Sequence, residues 1–304
     1  LFIASGTSNN GNSGTIQVHT GTASSGQGGS IEVGVGTGSK GNGGYVSIKA
    51  GDTLDAWGGY VSILSGLSAS TSSGHIDVRS SNGGIAGTSG HISVVTGTTS
   101  KGNSGYVSVS SGAAQSGRGG SISLNVGEGN SGTGGDFTVS SGTTKASATG
   151  GSVTVAAGYS TLTSSGTIIV RTLNAGYHGS SGSVFLSTGT SSGGNSGTIS
   201  LSSGQAVSGR AGSLLLVVGT GNSGSGGDVT LSSGTSSSVN GATGGNVLIS
   251  SGTSEKSTSG SIIITTVSAG TSGQSGMMIL STGHTTSGNS GRVLLGSGVA
   301  ASGR

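Results

Sequence analysis

A short internal repeat constrains this chain more than any other feature of its sequence. Each unit is about 15 residues long and begins with an alternating segment, such as Thr15–Gly21 or Tyr106–Gly112. Ile, Val or Leu occupies the second and fourth positions of the segment, and a run of Gly, Ser, Thr and Asn follows it. Strict alternation of this kind is typical of a half-buried β-strand, and the Gly-rich runs are typical of turns.

A longer period overlies the short one. Four of the GNSG turns begin at Gly11, Gly102, Gly194 and Gly288. The spacing defines a module of about 92 residues, or six units. We therefore predict one continuous repeat array over 1–304, and we expect both ends to lie inside a longer array. The predicted modules are 1–90, 91–182 and 183–276, with a partial module at 277–304.

The repeat predicts an all-β fold. A single unit cannot bury its own apolar residues, whereas stacked units bury them together. The sequence therefore predicts a β-solenoid-like stack of strand–turn units, in which second and fourth positions such as Ile16 and Val18 face inward. Neighbouring coils would lie about 4.8 Å apart. Differences at the third and sixth units favour a coil of three strands, and coils of one or two units stay open.

Composition supports an ordered chain and excludes several classes of partner. Of the 304 residues 69 are Gly, none is Pro or Cys, and only 6% are charged. Disordered chains are typically rich in Pro, Glu and Lys, which this chain is not. The net charge is +3 and the 11 Lys and Arg residues are scattered singly, which excludes a basic patch for nucleic acid. The longest apolar run, Leu214–Val218, is far shorter than the roughly 20 residues of a membrane span.

Several segments match catalytic or nucleotide-binding motifs only because the turns are rich in Gly and Ser. The segment Gly36–Gly41 fits GxGxxG and Gly189–Gly193 fits GxSxG, but both motifs require a following helix and no helical pattern exists. The five His residues are far apart in sequence. We therefore predict that the chain is not an enzyme and has no catalytic residue, metal site or cofactor. We interpret the loop holding Asp52, Asp55 and Trp57 as a decorated loop, and a carbohydrate contact is the alternative.

The third position of the alternating segment changes character along the chain. It is polar in the first half, as at Gln17 and Glu32, and often apolar later. Alternation places this position on the outer face of a strand, so we interpret the apolar residues as a lateral interface with another chain or domain. Drift towards a β-favouring residue at a tolerant site is the alternative. The candidate interface residues are Ile169, Phe185, Leu215, Leu248, Ile263, Ile279 and Leu294.

The repeat units resemble those of long repeat proteins predicted in algae. Segments such as GGDVTLSSGTSSS (226–238) and GTISLSSG (197–204) are similar to the Gly/Ser/Thr-rich tandem repeats of extracellular proteins of diatoms and related algae. The resemblance covers the whole chain and implies an extracellular or cell-surface location and a structural role.

These observations favour a structural subunit of an extracellular fibre, filament or surface coat, which assembles by β-stacking and lateral apolar contacts. The expected partners are other copies of the chain or related repeat proteins, and the many Ser and Thr hydroxyls are candidates for O-linked glycans. Three alternatives stay open: an ice- or surface-binding β-solenoid, a glycan-binding adhesin stalk, and a chain that is simply disordered.

Overall fold

Bends and unbent segments alternate along the chain. The computed structural model describes residues 1–238, 241–299 and 301, so the end of the partial module at 302–304 lies outside the described residues. Bends recur about every 15 residues and fall in the Gly-rich runs, where the sequence predicts turns. The first five lie at 9–11, 24–26, 39–41, 54–56 and 69–71.

None of the described residues belongs to a helix or a β-strand. The predicted all-β, solenoid-like stack of six strand–turn units per module is therefore wrong. A strand requires a hydrogen-bonded neighbour as well as an extended backbone, and the alternating segments have no such neighbour. Each unit supplies only two inward aliphatic side chains for its whole length. Their burial is too small to offset the conformational entropy lost when a Gly-rich chain is ordered.

The described part of the chain has no buried core. Ile16 and Val18, predicted to face inward, are 50% and 75% exposed. The accessible surface is 30818 Å² in total. A folded monomer of 28.3 kDa exposes about 11,000 Å² and its unfolded chain about 41,000 Å². The surface of this chain is therefore much closer to that of an unfolded chain than to that of a globular protein.

The chain divides into two units, Leu1–Val153 and Thr154–Arg304. The division falls within the second predicted module, at neither of the module boundaries after residues 90 and 182. Within each unit, order is local: the residue that ends one segment approaches the Gly that precedes the next segment. These approaches define a series of closed loops, numbered from one to six along each six-unit module.

The third loop of each module closes on a Val side chain. A Cβ atom built on Gly44, Gly135 or Gly227 would lie 2.7–2.9 Å from Cγ1 of the Val that ends the preceding segment. No residue with a side chain fits such a distance unless the loop opens. Within the same loops Gly41, Gly132 and Gly224 have φ angles of 79–80°, in the left-handed region that only Gly adopts easily.

The fourth and fifth loops close through backbone hydrogen bonds between glycines. The Gly59 N–H donates to the Gly51 carbonyl at 2.9 Å, and the Gly74 N–H donates to the Gly66 carbonyl at 2.9 Å. The same two bonds recur in the other modules, where Gly151 donates to Gly142, Gly166 to Gly158, Gly245 to Gly234 and Gly260 to Gly252.

The remaining loops close on small side chains. In the second loop the Ser111 hydroxyl donates to the Gly120 carbonyl at 2.9 Å, and Thr20 makes the equivalent bond to Gly29 at 3.3 Å. The sixth loop contains a four-residue turn in two modules. The Gly87 N–H donates to the Gly84 carbonyl at 3.2 Å, and the Gly179 N–H donates to the Gly176 carbonyl at 3.3 Å.

Candidate functional site

The seven candidate interface residues all lie in the unit Thr154–Arg304, and all are exposed. Their exposed fractions range from 72% at Ile169 and Ile279 to 90% at Phe185. Such values mean that none of the seven is covered by another part of the chain. The structure places them one per segment, so they form a series along the chain and not a single cluster.

Within each segment the third position is more exposed than the second. Ile262 is 51% exposed and its neighbour Ile263 is 81% exposed; Val247 and Leu248 show 50% and 89%. The difference arises because adjacent side chains of an unbent segment point in different directions. The fourth position is about as exposed as the third, since Val170 is 77% exposed beside Ile169 at 72% and Leu295 is 89% exposed beside Leu294 at 78%. A second chain could therefore reach the third and fourth positions of these segments more easily than the second.

The accessible apolar surface is larger than the sequence predicts. Second and fourth positions were assigned to a core, but Ile48 and Leu124 are 74% and 70% exposed in the unit Leu1–Val153. Sequence reasoning missed these residues as candidates for contact because it assumed that stacked units would bury them. The sequence does carry a signal for this exposure: each unit has too few apolar residues to form a core, so those residues stay exposed.

The loop around Trp57 is open to solvent. Trp57 is 99% exposed, and Lys49 Nζ lies 2.7 Å from Asp52 Oδ2 in an ion pair whose side chains are both exposed. An exposed ion pair contributes little to stability, so it does not fix the loop in one geometry. Asp55 has no ion-pair partner within the part of the chain that the structure describes.

The other sequence motifs acquire no site geometry. The GxGxxG segment Gly36–Gly41 ends in a bend at 39–41, and the GxSxG segment Gly189–Gly193 runs into a bend at 192–194; neither is followed by a helix. Across residues 1–238, 241–299 and 301, no three His, Asp or Glu side chains come together as metal ligands, and no cavity is enclosed. In the same residues no helix has the length and apolar character needed to cross a membrane.

Comparisons with known proteins add no relative. The chain matches none of the protein-family models, curated proteins or solved structures with which it was compared. The exposed apolar segments, with Ile169, Phe185, Leu215, Leu248, Ile263, Ile279 and Leu294 at their third positions, are the candidate functional surface.

Proposed function

We propose that this chain is a structural subunit of an extracellular fibre, filament or surface coat, which covers its apolar side chains by associating with other copies of itself. The observation that carries the proposal is the exposure of every aliphatic segment, from Ile16 in the first module to Leu294 in the last. Soluble monomers rarely leave so many large apolar side chains exposed to water, and exposed apolar surface marks sites of protein association.

The third-position side chains supply enough area for a specific interface. A fully buried Ile, Leu or Phe removes roughly 60–120 Å² of apolar surface from water. The seven residues together therefore offer roughly 400–800 Å² per copy, close to the roughly 800 Å² per partner of a standard interface. Second and fourth positions add to this area wherever a neighbouring copy reaches them.

The backbone favours the same kind of partner. Apart from the carbonyls of some terminal glycines such as Gly51, the N–H and C=O groups of the alternating segments have no backbone partners in the described residues. Segments of this kind add readily to an extended segment of another chain. Copies of the same repeat present matching segments at matching intervals, so β-stacking between chains can continue along the array. The extracellular location rests on the resemblance of the repeat units to algal surface proteins, and related repeat proteins could join the same assembly.

Sedimentation and electron microscopy of the full-length chain over a concentration series test the proposal. We expect reversible association that ends in filaments or sheets. A triple variant, Ile169→Thr, Ile263→Thr and Ile279→Thr, keeps β-branched residues while each substitution removes about 1 kcal/mol of apolar burial. Its association should weaken about 100-fold, since each 1.4 kcal/mol corresponds to a tenfold change.

A matched control changes the same segment position in the other unit. Ser47→Thr, Ser93→Thr and Ser108→Thr introduce the same residue where the third position is already polar, and association should stay unchanged. A native chain that remains monomeric at every concentration contradicts the proposed function. An equal loss of association in both triple variants contradicts the assignment of the contact to the third position.

A further inference from the structure

The first module contains three Asn-Gly pairs in its loops: Asn10-Gly11, Asn42-Gly43 and Asn82-Gly83. Asn10 lies in the bend at 9–11, Asn42 follows the bend at 39–41, and Asn82 precedes the turn at 85–87 by three residues. All three Asn side chains are exposed. A fourth pair begins at Asn240, which lies outside the described residues. We propose that Asn10, Asn42 and Asn82 are sites of spontaneous deamidation, which converts each to aspartate or isoaspartate.

The reaction requires the backbone nitrogen of the following Gly to reach the Asn side-chain carbonyl carbon. The new N–C bond closes a five-membered succinimide, the bond from that carbon to the amide nitrogen breaks, and ammonia leaves with the proton of the backbone N–H. Water then opens the ring at either carbonyl, giving aspartate or isoaspartate. No oxidant or reductant is needed, and the only co-reactants are water and base.

The structure leaves both reacting groups free. Among the described residues, none of the three Asn side chains makes a hydrogen bond, and the N–H groups of Gly11, Gly43 and Gly83 donate to no carbonyl. A nitrogen held in a helix or a strand ladder could not turn towards the side chain, but these loops contain neither. Gly also lacks a Cβ atom, so no side chain beside the attacking nitrogen obstructs its approach.

Other Asn residues provide an internal comparison. Asn103, Asn195 and Asn289 precede Ser in the GNSG turns, and Asn174 precedes Ala. Their following residues carry a Cβ atom beside the attacking nitrogen, which hinders ring closure. The three Asn-Gly sites should therefore react several-fold faster than the Asn-Ser sites of the same chain.

Deamidation changes the charge of the molecule. The chain carries 11 Lys and Arg and 8 Asp and Glu, for a net charge of +3. Each event adds one carboxylate that is ionised at pH 7, because a free Asp has a pKa of about 3.9. Conversion of all three sites raises the acidic residues to the number of basic ones and brings the formal charge to zero. Proteins near zero net charge associate more readily, so an aged chain should be less soluble than a fresh one.

The test is peptide mapping by mass spectrometry after the full-length chain has been held at pH 5 and at pH 8. Aspartate and isoaspartate should accumulate at residues 10, 42 and 82, faster at pH 8 because the attacking nitrogen must lose its proton. The variant Gly43→Ala should slow conversion at Asn42 to the rate of Asn103 and leave Asn10 and Asn82 unchanged.

Gly43 suits this substitution because an added Cβ atom would meet nothing within 4 Å and its φ angle is not positive. By contrast, Gly11 has a φ of 118°, and a Cβ atom on Gly83 would lie 2.8 Å from the Thr88 carbonyl carbon. The variant Asn42→Gln provides a second check, because the longer side chain closes a ring far more slowly. Conversion at the three sites that is no faster than at Asn103, or that persists at Asn42 in Gly43→Ala, overturns the proposal.

Discussion

At the scale of single residues, order in this chain depends on close approaches between a Gly and one small or branched side chain. Val126 and Gly135 are an example, since a Cβ atom on Gly135 would lie 2.8 Å from Val126 Cγ1. Val126 is only 47% exposed, which is low among the apolar side chains of this chain, and Val35 and Val218 hold the equivalent position at 51% and 42%. The packing of Val on Gly therefore gives the third loop its most protected side chain.

Replacement of Gly135 by Ala should open this loop. The added methyl overlaps Val126, and overpacking of this kind costs about 1–3 kcal/mol where the structure cannot yield. In a solvated loop the two ends separate instead. A nuclear Overhauser contact between the Val126 methyl groups and the Gly135 α protons should be present in the native chain and lost between the corresponding positions in Gly135→Ala.

The neighbouring glycine is the control for this experiment. A Cβ atom on Gly134 would meet nothing within 4 Å, so Gly134→Ala should keep the Val126–Gly135 contact. A contact that survives in both variants would show that the loop is held by something other than this packing.

At the scale of elements, the closed loop is the recurring structure. Loops at equivalent module positions close in similar ways: on a Val side chain at the third, and through a Gly-to-Gly backbone hydrogen bond at the fourth and fifth. The fourth loop of the second module, between Gly142 and Gly151, belongs to the hydrogen-bonded kind. Its bond of 2.9 Å is solvated, so water competes with it continuously.

Amide exchange should distinguish the two kinds of loop. A solvated hydrogen bond contributes about 0.5–1.5 kcal/mol, which slows exchange roughly 2- to 10-fold. The Gly151 amide should therefore exchange slower by this factor than the Gly134 amide, which donates no hydrogen bond in the described residues. Equal rates measured by NMR would mean that the Gly142–Gly151 loop is open for most of the time in solution.

The elements also show how far the sequence predicts this structure. The bends were predictable, because Gly adopts positive φ at no steric cost and Gly-rich runs such as that around Gly41 are typical of turns. The strands were not predictable, because alternation at Ile16 and Val18 indicates only that the segment favours an extended backbone. Strand pairing also depends on a partner segment and on burial that these residues do not obtain. The interface assigned to third positions such as Ile263 stays a prediction. The exposure of Ile48 was missed, since its assignment to a core depended on stacking.

At the scale of the whole molecule, the accessible surface of 30818 Å² determines how the chain responds to heating. The heat-capacity change of unfolding comes mainly from apolar surface that unfolding exposes. A chain that already exposes its apolar surface has little left to expose. The isolated chain therefore lacks the physical basis of cooperative melting, whereas an assembly that covers the segments acquires it.

Calorimetry at two concentrations tests this expectation. A dilute sample, below the concentration of association, should give no heat-absorption peak on heating. An assembled sample should give a peak whose size falls in the triple variant Ile169→Thr, Ile263→Thr and Ile279→Thr. A sharp, concentration-independent transition in the dilute sample would show that a single chain buries a core by itself.

The closed loops also have a mechanical consequence. The loop from Gly142 to Gly151 brings its ends within one hydrogen bond, 2.9 Å, although its residues could reach about 30 Å when fully drawn out. Similar loops recur about every 15 residues. Most of the length that the chain could gain by extension is therefore contained in loops that single weak contacts close. Under tension such a chain lengthens loop by loop and recovers when released, since each loop closes independently and no ladder has to be rebuilt.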